Sequence, residues 1–150
     1  MKDATSELRK YYYTTLQGIT LDGDVVPVYD DEVNDSVAPY TRDSPPDKYI
    51  ILSNQNSADQ SAKCSFQERH TIQVDSAVIY PAYNGGFRVA EQLNAIVKER
   101  MLTDTAGAFD LDGFRVFRSR EDLSRNLSEK TKVQNIYKRI TIFNHSIAEN

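Results

Sequence analysis

The residues with chemical potential are few and scattered. Asp30-Asp31-Glu32 places three carboxylates in a row; such a run can hold magnesium, and equally it can be a solvated loop or a subunit contact. Asp110-x-Asp112-Gly113 has the opening of a calcium loop but lacks the remaining oxygen ligands and the closing glutamate, so turn chemistry explains it better. His70 and His145 fall in predicted strands with no carboxylate–histidine metal motif beside them, the pattern of structural histidines with satisfied hydrogen bonds. Cys64 has neither His nor Cys near it in sequence and reads as a plain thiol. Asn84-Gly85-Gly86 follows a strand and opens a helix, yet has neither the spacing nor the lysine of a phosphate-binding loop. No nucleophile and base can be paired from spacing. The sequence therefore points to no catalytic group, no cofactor and no metal site, and to a protein that is not an enzyme.

Composition narrows the class further. A chain of 150 residues with 39% hydrophobic and 27% charged residues is expected to fold as one domain, residues 1–150, around a single core. No apolar run approaches the roughly 20 residues that span a bilayer. The stretch Met-Lys-Asp-Ala-Thr-Ser-Glu lacks the apolar centre of a signal peptide. One cysteine cannot make an intramolecular disulfide. These features together are expected of a protein made and used, or assembled, inside a cell.

The net charge of −4 argues against a general nucleic-acid binder. Its distribution says more. Residues 1–60 carry five basic and eleven acidic side chains, residues 61–150 thirteen and eleven, and residues 113–140 eight and three. One acidic half and one basic stretch suit a self-complementary brick whose head-to-tail contacts close into a ring, although two ordinary solvated faces have the same composition.

The elements that must position these groups are organised around residues 64–101. Phe66, His70, Ile72 and Val74 alternate with Gln67, Arg69, Thr71, Gln73 and Asp75, the signature of a strand with one apolar face. Val78-Ile79-Tyr80 continues it to Pro81 and the Asn84-Gly85-Gly86 break. Phe87, Ala90, Leu93, Ile96, Val97 and Met101 then recur at helical spacing, with Arg88, Glu91, Gln92, Asn94, Lys98 and Glu99 opposite. That helix is expected to lie on the apolar face of the strand.

Around this unit, residues 4–17 read as a helix capped by Thr5 or Ser6 and stopped at Gly18; Leu8, Tyr11, Tyr12 and Leu16 share a side. The run Tyr11 to Tyr13 cannot face one way, so one tyrosine at least is exposed or buried by a partner. Asp22-Gly23-Asp24 is a turn before a strand over residues 25–29, which Pro27 makes an edge or irregular strand. Residues 30–47 form a long polar connection and residues 48–53 a dense apolar strand for the middle of a sheet. Residues 54–62 read as a flexible polar loop, 109–111 as a short strand and 114–121 as a strand. Residues 122–132 read as a polar loop or short helix. Residues 133–147 form a long strand, apolar in part on both faces, and so either central in the sheet or covered by another subunit.

This order of elements resembles the tail-completion, or tail-terminator, proteins of tailed bacteriophages. The resemblance rests on the first helix, Pro-Val-Tyr-Asp-Asp-Glu-Val at positions 27–33, Tyr-Ile-Ile-Leu at 49–52, and the long central strand. Ala-Glu-Gln-Leu-Asn-Ala-Ile-Val-Lys at 90–98 and the final basic strand, charged loop and long strand complete it. The loop at residues 35–47 is longer, and the first helix richer in tyrosine, than the family pattern. The resemblance implies an α+β fold, an antiparallel or mixed β-sheet with two main helices packed on one face and long polar loops. It further implies a virion tail or neck protein, assembled in the host bacterial cytoplasm, that forms a homo-oligomeric, hexameric ring. Such a ring caps the tail tube, ends its polymerisation and presents the head-joining surface to a neck or head-completion protein. DNA passes through the lumen unbound, and no membrane is involved.

On this reading the loops at 30–48 and 54–63 meet the tube or neck, with Asp30, Asp31, Glu32, Asp43, Asp47, Gln55 and Gln60 as contact residues. Arg115, Arg118, Arg120 and Arg125 pair with the acids of an adjacent subunit, or else form an ordinary exposed strand face. Alternatives are another neck or tail component (a head-completion stopper or a tube subunit), a basic-faced nucleic-acid regulator, and a small metal-dependent α+β enzyme. The enzyme would need a pocket joining Asp30, Asp31 or Glu32 to His70.

Overall fold

The computed structural model describes residues 3–30, 47–61, 66–81, 84–102 and 108–149. In chain order these form α1 (Thr5–Thr15), β1 (Thr20–Leu21), β2 (Asp24–Val25), β3 (Val28–Asp30), β4 (Lys48–Asp59), β5 (Gln67–Pro81), α2 (Arg88–Met101), β6 (Phe109–Leu111), β7 (Phe114–Lys130) and β8 (Gln134–Glu149). Six strands make one sheet in the order β3-β4-β5-β8-β7-β6. β3 runs parallel to β4, and every other neighbouring pair is antiparallel. The sheet curls into a half-barrel. This is an α+β architecture with a mixed sheet, more strand-rich than the sequence pattern suggests.

Both helices lie on one face. Leu8 and Tyr12 of α1, Leu16 at its C-terminal cap, and Leu93, Val97 and Met101 of α2 share a buried cluster with Ile50 and Leu52 of β4, Ile72 and Val74 of β5, Phe114 and Val116 of β7, and Phe143 and Ile147 of β8. The strand–helix unit at the centre thus packs as the two periodicities require, a period-2 apolar face under a period-3.6 stripe. β8 sits between β5 and β7 and is central. The tyrosine run divides as its geometry demands. Tyr12 is buried, Tyr11 stacks on Phe109 with ring centroids 4.1 Å apart, and Tyr13 is exposed.

Several expectations are corrected. Residues 54–59 are not a flexible loop but the second half of β4, paired through Asp59↔Glu68 with β5. Residues 122–130 are neither loop nor short helix but the second half of β7, paired to Lys130↔Asn135 with β8. Both stretches are mostly exposed. With no buried face they carry no alternation, and their pairing is supplied by the backbone ladders to β5 and β8. Asn94 belongs to the buried stripe of α2, because Thr141 Oγ1 on β8 lies 2.8 Å from its Oδ1 and satisfies it. The helix cap is neither Thr5 nor Ser6. Asp3 Oδ1 accepts from the Thr5 N–H and hydroxyl instead.

The strand expected over residues 25–29 splits at Val26-Pro27 into β2, which pairs with β1 across Asp22-Gly23, and β3 at the sheet edge. Asp22 and Gly23 both take positive φ (53° and 84°), as a tight two-residue hairpin turn requires. Pro27 donates nothing, but its carbonyl accepts from Ile50 N at 2.9 Å. Asp112-Gly113 is indeed a turn, between β6 and β7. The loop at 31–46, with Asp31, Glu32 and Asp43, and Cys64 lie outside the described residues.

Candidate functional site

The arginines of β7 begin in mixed parity. Arg115 is odd, Arg118 and Arg120 even, Arg125 odd, so an unbroken strand would send two of them into the core beside Phe114 and Val116. Two β-bulges prevent this, one between Val116 and Arg118 and one between Glu121 and Leu123. Each inserts a residue and reverses the parity that follows. Arg115, Arg118, Arg120 and Arg125 consequently stand opposite Ala148, Ser146, Asn144 and Ile140 of β8. Those partners alternate with the core residues Phe143 and Ile147, so all four arginines occupy the face away from the helices.

A neighbouring strand adds a fifth. Arg69 of β5 is in register with Ser146 of β8, which Arg118 flanks from the other side. Arg69, Arg118, Arg120, Asn144 and Ser146 line a shallow notch of about 70 Å³. Arg120 Nε donates to Asp122 Oδ1 at 3.1 Å, and Asn144 Nδ2 donates to Asp122 Oδ2 at 3.0 Å. With its amide turned to satisfy both groups, Gln60 accepts from Arg69 Nη2 at 2.8 Å. Arg118 makes no ion pair among the described residues. The notch therefore presents guanidinium donors in excess of local carboxylate, suited to a carboxylate or phosphate group. The same face carries Leu123 and Leu127, 48% and 42% exposed, on either side of Arg125.

The other expected contact residues are dispersed. Asp30 ends β3 and is ion-paired with Arg9, whose guanidinium also donates to the carbonyls of Leu52 (2.6 Å) and Ser53 (3.0 Å). Gln55 is half-buried, and its Nε2 donates to the Thr5 carbonyl at 3.1 Å, tying β4 to α1. Asp47 is exposed and its carbonyl accepts from Ile79 N at 2.7 Å. Arg115 faces Asp110 at 3.7 Å. Arg125 is exposed. Among the described acids only Asp30 and Asp47 come from the first loop, and neither lines the notch.

The two histidines pair across strands, His70↔His145, and both are fully buried. Their environments differ. His145 Nε2 bonds the Tyr12 hydroxyl and Nδ1 bonds Ser119 Oγ at 2.6 Å. Burial, and then the neighbouring His70, push its pKa down to about 3, so at neutral pH the ring is uncharged. This is the satisfied structural histidine the sequence suggests. His70 is not: neither ring nitrogen has a hydrogen-bond partner among the described residues. Such a buried orphan costs roughly 1–3 kcal/mol. The acids beside it are Glu68 and Asp3. Asp30 is held by Arg9 instead. Sequence reasoning missed this grouping because Asp3 and Glu68 are 65 positions apart and only the folded chain brings them together.

No helix among the described residues is long and apolar enough to cross a membrane. No protein-family model and no curated protein matches the chain. In fold the chain is similar to one in a solved structure described as the virion of a native gene transfer agent (GTA) particle. The TM-score is 0.61 at 16% identity, and the match covers 81% of this chain and 78% of that one. At that identity the likeness establishes a shared fold.

Proposed function

We propose that this chain, as one domain over residues 1–150, is a structural protein of a phage-type virion. In this reading copies form a hexameric ring that caps the tail tube, ends its polymerisation and offers the head-joining surface to a neck protein. The observation that carries it is the fold likeness to a virion chain over most of both chains. The tail-terminator resemblance in the order of elements narrows the place within the virion. The role needs no catalytic group, and the protein is proposed to act by surface complementarity alone, in the tail or neck of a particle assembled in the bacterial cytoplasm.

The helix-free face is the proposed contact between copies. Arg118 and Arg120, with Arg69, receive carboxylates from the acidic half of the adjacent copy, Asp47 and the acids at 31, 32 and 43 being the acceptors proposed. Leu123 and Leu127 give that contact an apolar component. β7 adds a second feature: β6 pairs only with residues 114–116, so the edge of β7 beyond them is unpaired among the described residues and can take a strand from a partner. Acidic surface at the lumen would repel phosphates and let DNA pass.

Light scattering of the purified protein at low and high salt tests the ring. A hexamer-sized species that dissociates in salt is expected. The neighbour is described only by its particle, so electron microscopy of tails assembled without this protein must separate the possible places. Overlong tubes are expected for a terminator. Normal tails lacking heads would make it a connector, and absent tails a tube subunit. A monomer at both salt concentrations together with tails of normal length and normal head attachment would overturn the proposal.

A further inference from the structure

We propose that Asp3, Glu68 and His70 bind a divalent transition-metal ion of the zinc class. One ligand atom from each residue lies within 4.8 Å of the other two. His70 supplies a fully buried imidazole with neither nitrogen hydrogen-bonded among the described residues, and Glu68 Oε1 is likewise buried without a hydrogen-bond partner. The two atoms His70 Nε2 and Glu68 Oε1 stand 3.6 Å apart, beyond hydrogen-bond reach. Ligands at about 2.0–2.1 Å from a tetrahedral zinc are separated by about 3.3 Å, so this pair is already spaced as two ligands of one ion.

The third ligand is positioned by the helix. Asp3 uses one carboxylate oxygen, Oδ1, to cap α1 through Thr5. Its Oδ2 accepts no hydrogen bond among the described residues. Asp3 is exposed and precedes the first helical turn, and closing the 4.8 Å outer limit of the group to ligand spacing asks for a shift of about 1.5 Å. An imidazole with two carboxylates is a nitrogen–oxygen set that suits zinc, cobalt or manganese, with water completing the shell. His145 does not compete, since both its nitrogens are engaged by Tyr12 and Ser119. Bound there, the ion would tie the stretch before α1 to the start of β5 and satisfy the orphaned ring. The site lies on the helix-covered side of the sheet and is independent of the proposed ring.

Chelator-treated protein titrated with zinc chloride in a calorimeter should bind one equivalent. On saturation the ring nitrogens of His70, read by long-range proton–nitrogen NMR, should shift while those of His145 stay put. His70→Gln can fail to fold, so the informative variants are Glu68→Gln and Asp3→Asn. Each should fold as the wild type does and bind zinc at least about tenfold more weakly. Absence of binding overturns the site. So do unchanged His70 nitrogens at zinc saturation, or wild-type affinity in both variants.

Discussion

The two faces of the sheet are built by different rules, and β8 contributes to both. On the helix side Thr141, Phe143, His145 and Ile147 are wholly enclosed, and the buried side-chain polar atoms there without a hydrogen-bond partner among the described residues are Glu68 Oε1, the two ring nitrogens of His70 and Ser76 Oγ. On the other side the strand presents Ile140, Ile142, Asn144 and Ser146 to two different neighbourhoods. Towards β3 and β4 a second apolar cluster forms from Tyr29, Tyr49, Ile51 and Ala77. Towards β7 the same face becomes polar and basic around the notch. The helix face fixes the fold through shape. The helix-free face, freed from that duty at its β7 end, can vary in charge at little cost to folding, which is the freedom an assembly surface needs.

The contrast is broken most severely from the helix side. Leu93 is fully enclosed between α2 and the sheet, and Leu93→Ala removes its packing and leaves a cavity. A loss of about 3–5 kcal/mol is expected, measured by urea unfolding at unchanged denaturant slope.

The junction between β5 and α2 comes next. Gly85 has φ of 115°, and a Cβ there would stand 2.5 Å from the rings of Tyr80 and Tyr137. Both rings are themselves packed, with centroids 5.8 Å apart and Phe87 edge-on to Tyr137 at 5.0 Å, so neither can give way freely. Gly85→Ala should cost about 2–4 kcal/mol from backbone strain and overpacking together. A thermal scan that finds the variant as stable as wild type would mean the rings move aside.

The apolar end of the helix-free face can be tested by alkali. Burial first, with Glu129 and Asp75 adding to it, raises the Tyr49 phenol to about 12, against about 10 in the unfolded chain. Its neutral form is favoured by folding, so its contribution is intact below pH 10 and lost as pH climbs towards 12. The loss is about 2–3 kcal/mol at one unit of pKa per 1.36 kcal/mol. Tyr49→Phe has no phenol to ionise and should unfold less steeply between pH 10 and 12. Equal slopes for the two proteins would mean that this ring is wet.

How much of this could be read from sequence follows the same division. The strand–helix unit from Phe66 to Met101 was legible because both of its periodicities are enforced by one buried surface. The distal halves of β4 and β7 were not, since Gln55 to Asp59 and Asp122 to Lys130 bury little and are held by backbone pairing with β5 and β8. The arginines were legible as a basic group but not as a face, because nothing local in Val116-Phe117-Arg118 or Glu121-Asp122-Leu123 announces a bulge. The Asp3–Glu68–His70 grouping is a product of tertiary docking and left no sequence signal.

The smallest effect on stability is expected where the effect on assembly is largest. Arg118 and Arg120 are exposed, and the one ion pair between them and the described residues joins Arg120 to Asp122 at the surface, a contact worth little in water. The double variant Arg118→Glu with Arg120→Glu should therefore unfold within about 0.5 kcal/mol of wild type. Reversing two charges beside Arg69 nevertheless turns a carboxylate-accepting notch into one that repels carboxylates. If the helix-free face joins copies, the variant should stay monomeric at low salt where the wild type forms its ring, with circular dichroism unchanged. A variant that is folded and still the same size as the wild type would remove the notch from the interface. It would leave the β7 edge and the leucines beside Arg125 to account for any ring that forms.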